Sequence, residues 1–408
     1  MINSEAADII IIGGGAAGCF AAIIAAEQGK KVLLIETGRL MHKLSITGKG
    51  RCNITNNSDV ENILKNIKTN PRFLQSALNS FNAQDTMSFF ERFGVKLKTE
   101  RGNRVFPVSD SAGEIVGALE NRLNTLGVKI IKDRARAIIE KDNILAGVKC
   151  EKSSYYAPRA VLATGGLSYP KTGSTGDGYK IAADLGHTVV EPKAALVPIN
   201  TRENCGDSAG LSLKNVKLSL FSENPNKLLY TEQGELLFTH FGISGPLALS
   251  ASCYIQPEKD YKILLDLKPA LDKNKLDARI LRDFSESKNK QIQNSIGALL
   301  PKKLILPILS QANIPPDKQV NSVTAPERLR LLEALKGFTL TPAGLRPTEE
   351  AVITDGGVNV REINPKNMES KIVKGLHFAG EIIDVAGFTG GYNLQIAFST
   401  AFAAVNDI

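Results

Sequence analysis

Asp8 to Ile12 is a short, mostly β-branched run that leads straight into Gly13-Gly14-Gly15-Ala16-Ala17-Gly18, and small apolar residues then continue to Gln28. The run has the composition of a strand buried on both faces, and the small-residue stretch predicts a helix, so the unit reads strand, glycine turn, helix. The GxGxxG spacing has a mechanical reason. Gly13 permits the tight turn, Gly15 lets backbone approach a pyrophosphate, and Gly18 lets the helix pack against the strand with its N-terminus toward the phosphates. Lys31 to Ile35 supplies a second strand that ends at Glu36, 18 residues after Gly18. An acid there accepts hydrogen bonds from ribose hydroxyls and repels a 2′-phosphate, which points to FAD or NAD and away from NADP. The competing reading, a packing turn with an incidental acid, does not account for this full strand–turn–helix–strand–acid context.

No second strand followed by GxGxxG occurs, so the choice of cofactor rests on other segments. Val161 to Ala163 predicts a buried strand ending in Thr164-Gly165-Gly166, and Ser174 to Gly178 opens a helix to about Leu185. Near the end of the chain, Leu376 to Ala379 predicts a strand ending in Gly380-Glu381, and Gly390-Gly391-Tyr392-Asn393 starts a last helix. Both repeat the order strand, turn, helix N-terminus.

Composition limits the alternatives. A length of 408 residues predicts two or three domains, and 43% hydrophobic with 23% charged residues is ordinary for a folded chain. A net charge of +8 is dilute over this length and the basic residues do not cluster clearly, so a nucleic-acid partner is not favoured. The five cysteines are odd in number and at least 33 residues apart, which gives neither zinc spacing nor a disulfide framework, and predicts a reducing, cytoplasmic setting with no bound metal. Residues 9–26 carry no charge, but three glycines lie in the run and Glu5 and Asp8 precede it, unlike a membrane span or a signal peptide.

The motifs IIIIGGGAAG (9–18), TGKGRCNITN (47–56), RVFPVSDSA (104–112), ATGGLSYPKTGSTGDGY (163–179), ELLFTHFGISGPLAL (235–249) and GLHFAGEIIDVAGFTGGYNLQIAF (375–398) cover nearly the whole chain. Together they resemble the BaiN/RdsA-like group of NAD(P)/FAD-dependent oxidoreductases, which includes aminoacetone-oxidase-like flavoproteins. The resemblance implies non-covalently bound FAD, with a nicotinamide nucleotide as a transient co-substrate. Gly13, Gly15, Ala16, Ala17, Gly18 and Glu36 would hold the ADP half. Gly50, Arg51, Cys52 and Asn53 would form a loop curled around an anion, with Arg51 neutralising phosphate; a solvated basic loop is the alternative. Cys52 is read as a packing or cofactor-lining residue, since no resolving cysteine is near. The backbone around Arg136 would contact adenine, and the turn Thr164, Gly165 and Gly166 would pass near the nucleotide. Glu381, after Gly380, would take the ribityl hydroxyls. Gly391, Tyr392, Asn393 and Leu394 would bring backbone N–H groups and a helix dipole to the flavin ring, where negative charge accumulates on reduction.

After Val189 the pattern changes to short alternating segments, among them Leu228 to Tyr230 and Glu235 to Phe238, then to helical patterns broken by prolines between Asp272 and Leu335. The expected organisation is an α/β chain with a single Rossmann-like FAD-binding domain (1–190 and 338–408) interrupted by a β-rich segment (191–270) and a helical segment (271–337). Such an insertion commonly caps the flavin. His240 is the candidate proton-transfer residue, because imidazole exchanges protons near neutral pH; a structural histidine is the competing reading. Tyr169 and Lys171 could reach the cleft. The expected activity is hydride transfer between flavin N5 and a small organic substrate with NAD(P)H as reductant. Oxidation of an amine such as aminoacetone by oxygen, and action on RNA, stand as alternatives.

Overall fold

The computed structural model describes residues 7–224, 226–256 and 258–406; Glu5 lies outside them. The chain divides into two units, one of residues 1–195 and 348–408 and one of residues 196–347.

The first unit is built on a five-stranded parallel sheet. Its order is Leu376–Phe378, Ala160–Leu162, Ile9–Ile12, Val32–Glu36, Lys129–Lys132. The register pairs Ile10 with Ala160 on one side and Leu33 on the other, while Ala160 pairs with Leu376. Ile9 to Ile12 are all buried, as an apolar run in a doubly covered central strand must be. The helix Ala16–Glu27 is buried almost all round, packed between this sheet and the last helix, Tyr392–Val405. Glycine at position 18 is a steric requirement, because a Cβ there would lie 1.8 Å from the Gly13 carbonyl oxygen. Helix and strand meet at a distance no side chain allows. A three-stranded antiparallel sheet, starting with the strand Ala135–Lys141, completes the nucleotide side.

The second unit has its own core and a seven-stranded antiparallel sheet packed with the helices Lys273–Glu286, Lys302–Gln311 and Ala325–Lys336. Three expectations need correction here. The β-rich and helical segments expected as 191–270 and 271–337 form one unit from Leu196 on, since both contribute to one core, while 191–195 belong to the first unit, where Val189–Ala195 pairs with Ile353–Val358. The return to the first unit comes at Thr348 rather than at 338, because the strand Phe338–Leu340 pairs with Tyr261–Asp266 and the strand Pro342–Leu345 pairs with Ile199–Thr201. The short segments at 228–230 and 235–238 are one strand, Lys227–Thr239.

Among the described residues no helix is long and apolar enough to cross a membrane, and no group of three or more His, Cys, Asp or Glu is placed to hold a metal ion.

Candidate dinucleotide site

In a parallel sheet the strands deliver their following turns to one edge, and here four of those turns carry the residues singled out in the sequence. Glu36, Gly13, Thr164 and Glu381 follow or end neighbouring strands of the sheet, in that order. At about 4.8 Å per strand, three steps spread them over about 14 Å. A groove at this edge is lined by Gly13, Glu36, Asp133, Arg134, Thr164 and Asp177, among others.

Glu36 braces the glycine turn. One carboxylate oxygen accepts from Gly14 N at 2.6 Å, and the other accepts from Gly38 N at 2.7 Å and Thr37 Oγ1 at 3.1 Å. Gly13 has φ +104°, and a Cβ there would lie 2.5 Å from the Ala163 carbonyl oxygen, so the turn runs against the next strand end. A Cβ on Gly15 would meet nothing within 4 Å. That position faces open space, as a backbone cradle for a phosphate requires. Ala16 and Ala17 form the first turn of the helix, and its N–H groups are not capped by any side chain.

Two buried polar atoms of the predicted set, Asn53 Oδ1 and Thr164 Oγ1, have no hydrogen-bond partner among the described residues. Buried polar atoms are almost always paired, so both fit a bound polar group. The open Gly15 cradle, the unpartnered oxygens and the acid at the end of the second strand together suit a dinucleotide of the FAD type.

Several predicted contacts fall elsewhere. Arg51 donates to Asp110 at 2.8 Å, pairs with Glu100 and lies over the Phe106 ring at 4.1 Å, so two carboxylates already neutralise it. Gly50 is left-handed and faces open space, and its carbonyl accepts from Ala112 N at 2.7 Å. Cys52 is fully buried, and burial pushes its thiol up to about 12, which agrees with packing and not with redox chemistry. The Arg136 side chain pairs with Glu151 on the exposed side of its strand, and the adjacent residues Asp133, Arg134 and Ala135 line the groove, next to the backbone expected to contact adenine.

Glu381 is held by three donors: Thr354 N at 2.7 Å, Ser168 Oγ at 2.9 Å and Lys43 Nζ at 2.7 Å. Gly165 is left-handed, and Gly166 leaves room for Thr354, whose Oγ1 would lie 2.3 Å from a Cβ there. Gly380 is also left-handed, and a Cβ on it would strike the Ala17 Cβ at 2.8 Å. Gly391 caps the last helix with φ +99°, where a Cβ would meet the Thr55 carbonyl oxygen at 2.3 Å. Tyr392 is buried and Leu394 half-buried, both on the first turn of that helix. Asn393 clamps the preceding turn by exchanging hydrogen bonds with Gly387 at 2.8 and 2.9 Å.

His240 is exposed in the second unit, beside the Phe241 ring. Sequence reasoning missed Lys43, Ser168, Thr354 and the buried Gln395. Gln395 accepts from Thr55 and Thr86 and donates to the Phe81 carbonyl, fixing the last helix. Gln395 lies one turn beyond Gly391 in a quoted motif, and that position was its only signal.

The model of the family described as HI0933-like protein Rossmann domain matches residues 7–407. The chain is 33% identical to the ribosomal RNA dihydrouridine synthase of Escherichia coli strain K12, over 99% of this chain and 98% of that protein. It is 29% identical to the 3-dehydro-bile acid delta(4,6)-reductase of Clostridium scindens, over 97% of each. The crystal structure of the 3-ketosteroid-delta4-(5alpha)-dehydrogenase of Rhodococcus jostii RHA1 has the same fold, with a TM-score of 0.51 at 14% identity, over 98% of this chain and 95% of that one. The strand-edge groove suits a dinucleotide, and by these matches the chain belongs to the HI0933-like Rossmann family and is an FAD-dependent oxidoreductase.

Proposed function

We propose that the protein reduces a carbon–carbon double bond conjugated to a carbonyl, with NAD(P)H as the electron donor. The observation that carries this reading is the kind of reaction named for two relatives of nearly full length. A dihydrouridine synthase and a delta(4,6)-reductase of a 3-oxo compound both add hydrogen across such a bond. FAD supplies the hydride-transferring centre when bound. The chain's own part is to hold and orient it. Gly13, Gly15, Ala16, Ala17, Gly18 and Glu36 take the ADP half; Thr164, Gly165, Gly166, Gly380 and Glu381 take the middle; Gly391 to Leu394 present a helix N-terminus to the ring, where it stabilises negative charge. Asn53, with its unpartnered oxygen, joins this set, and Gly50 and Cys52 shape the loop that carries it. The reaction also needs one proton at the carbon next to the carbonyl, and His240 is the proposed donor.

A second reading has a specific observation in its favour: the acceptor is a uracil ring in ribosomal RNA. Two relatives of 33% and 32% identity carry that substrate in their names, which weighs against the expectation that nucleic acid is not a partner.

The test is an anaerobic visible spectrum of the purified flavoprotein before and after NADH or NADPH, followed by an acceptor. Bleaching by a nicotinamide nucleotide and recovery of colour with an enone or an unmodified ribosomal RNA supports the reading. Bleaching by a small amine such as aminoacetone, with recovery only in oxygen, replaces it with the amine-oxidase reading. Steep loss of reoxidation with added salt marks the RNA acceptor.

A further inference from the structure

The short helix His42–Ile46 follows the turn in which Met41 N donates to the Gly14 carbonyl at 2.8 Å, so the glycine turn fixes where Lys43 starts. The Lys43 ammonium lies 2.7 Å from Glu381 Oε2 and 2.6 Å from Ser168 Oγ, its side chain 26% exposed. Three strand ends are thereby tied together: the loop after Val32–Glu36, the turn after Ala160–Leu162 and the turn after Leu376–Phe378.

The donors and acceptors of this cluster can be counted. Glu381 Oε1 takes two hydrogen bonds, from Thr354 N and Ser168 Oγ. Glu381 Oε2 takes one, from Lys43, which leaves it an acceptor position. Lys43 has three N–H donors and uses two, which leaves it one. Among the described residues nothing else fills either place. The cluster thus offers one donor beside one acceptor. A phosphate only accepts, and the Glu381 carboxylate would repel it. A hydroxyl group both donates and accepts, and it matches the pair.

We propose that Lys43 is a positioning residue for the polyol chain of FAD, binding a hydroxyl jointly with Glu381, and that it is not a phosphate ligand. This rests on the flavin reading of the groove. It also separates Lys43 from Arg51, the cation first assigned to the phosphates, which two carboxylates hold.

The proposal is tested by titrating wild type, Lys43→Met and Lys43→Gln with FAD and, separately, with ADP, which lacks the polyol. Binding is read by flavin fluorescence and calorimetry, and thermal melting confirms that the variants fold. Loss of one charge-assisted hydrogen bond predicts an FAD Kd raised about tenfold in Lys43→Met and less in Lys43→Gln, with ADP affinity changed less than about twofold. Equal weakening toward FAD and ADP would overturn the proposal, because it would place Lys43 at the diphosphate or in the scaffold. An unchanged FAD Kd in both variants, with normal wild-type binding, would overturn the Lys43 assignment alone. Absence of FAD binding by the wild type would remove the flavin reading and this proposal together.

Discussion

Replacing Glu36 with alanine removes an acceptor used by two backbone N–H groups, Gly14 in the glycine turn and Gly38 in the loop after the second strand. Glu36 Oε1 carries two protein donors, whereas Oε2 carries only Gly14 N and so keeps one position for a ribose hydroxyl. Gly14 is buried, so its freed N–H costs the fold about 1–3 kcal/mol, which the melt without FAD reads separately from cofactor binding. The cofactor loses a charge-assisted hydrogen bond worth about 1.5–3 kcal/mol, and the turn loses its brace. At 1.4 kcal/mol per decade, the FAD Kd of Glu36→Ala should rise about 10- to 150-fold. Flavin fluorescence titration at matched protein concentration measures this, with a thermal melt without FAD as the control. An FAD Kd within about threefold of wild type, in a variant that still melts cooperatively, would refute the ribose contact.

Four further outcomes follow from the same geometry. Gly18→Ala forces a Cβ to 1.8 Å from the Gly13 carbonyl, so it should abolish flavin uptake and lower the yield of folded protein. Arg51→Met, which removes a partly exposed pairing with Glu100 and Asp110, should change FAD affinity less than about threefold at any salt concentration. His240→Asn should lower the rate of flavin reoxidation about 100-fold with FAD binding unchanged, and an unaltered rate removes it as the proton donor. Stability should fall as the medium is acidified below about pH 6.5. Burial lowers the pKa of His187 and of His377 from 6.5, so between that value and the lowered one the unfolded chain takes up protons that the folded chain refuses. Melting temperatures at about pH 5 and about pH 7.5 check this, and His187→Asn should reduce the difference.

The strand–turn–helix units were legible because their causes are local. Gly18 sits where a Cβ would strike the Gly13 carbonyl five residues earlier, and acids at strand ends can be recognised from the strand alone, whereas the backbone that requires glycine at 13 and 391 belongs to Ala163 and Thr55, far off in sequence. Pairing across the chain was not legible. Nothing near Arg51 announces that Glu100 and Asp110 will neutralise it, and nothing near Lys43 points to a partner 338 residues on. The unit boundary was misplaced for the same reason, since Phe338 to Leu345 read as the start of a new segment until their strand partners, Tyr261–Asp266 and Ile199–Thr201, are known. The strand Lys227–Thr239 was split in two because Thr231 to Gly234 are polar or small, and two register shifts in its pairing disturb the alternation.

Glu36 and Glu381 illustrate how much of a site lies beyond such local signals. Both end or follow strands of one parallel sheet, so the sequence could place both at its edge. What each can bind depends on how many of its lone pairs the protein has already filled. Each carries three protein donors, two on one oxygen and one on the other. Each therefore keeps a single acceptor position, in an orientation that the backbone donors fix. Around Glu36 two donors, Thr37 and Gly38, are neighbours in sequence and the third, Gly14, comes from the glycine turn before the first helix, and the remaining position stands by itself. Around Glu381 they come from three distant segments, one of which brings a cation with a spare N–H to the same place. Two carboxylates of equal chemistry thereby become different recognition elements, one an acceptor alone and the other an acceptor paired with a donor. A dinucleotide laid across the strand ends would present hydroxyls to both, and on the proposal that Lys43 and Glu381 share a hydroxyl the second pairing distinguishes the polyol end from the ADP end.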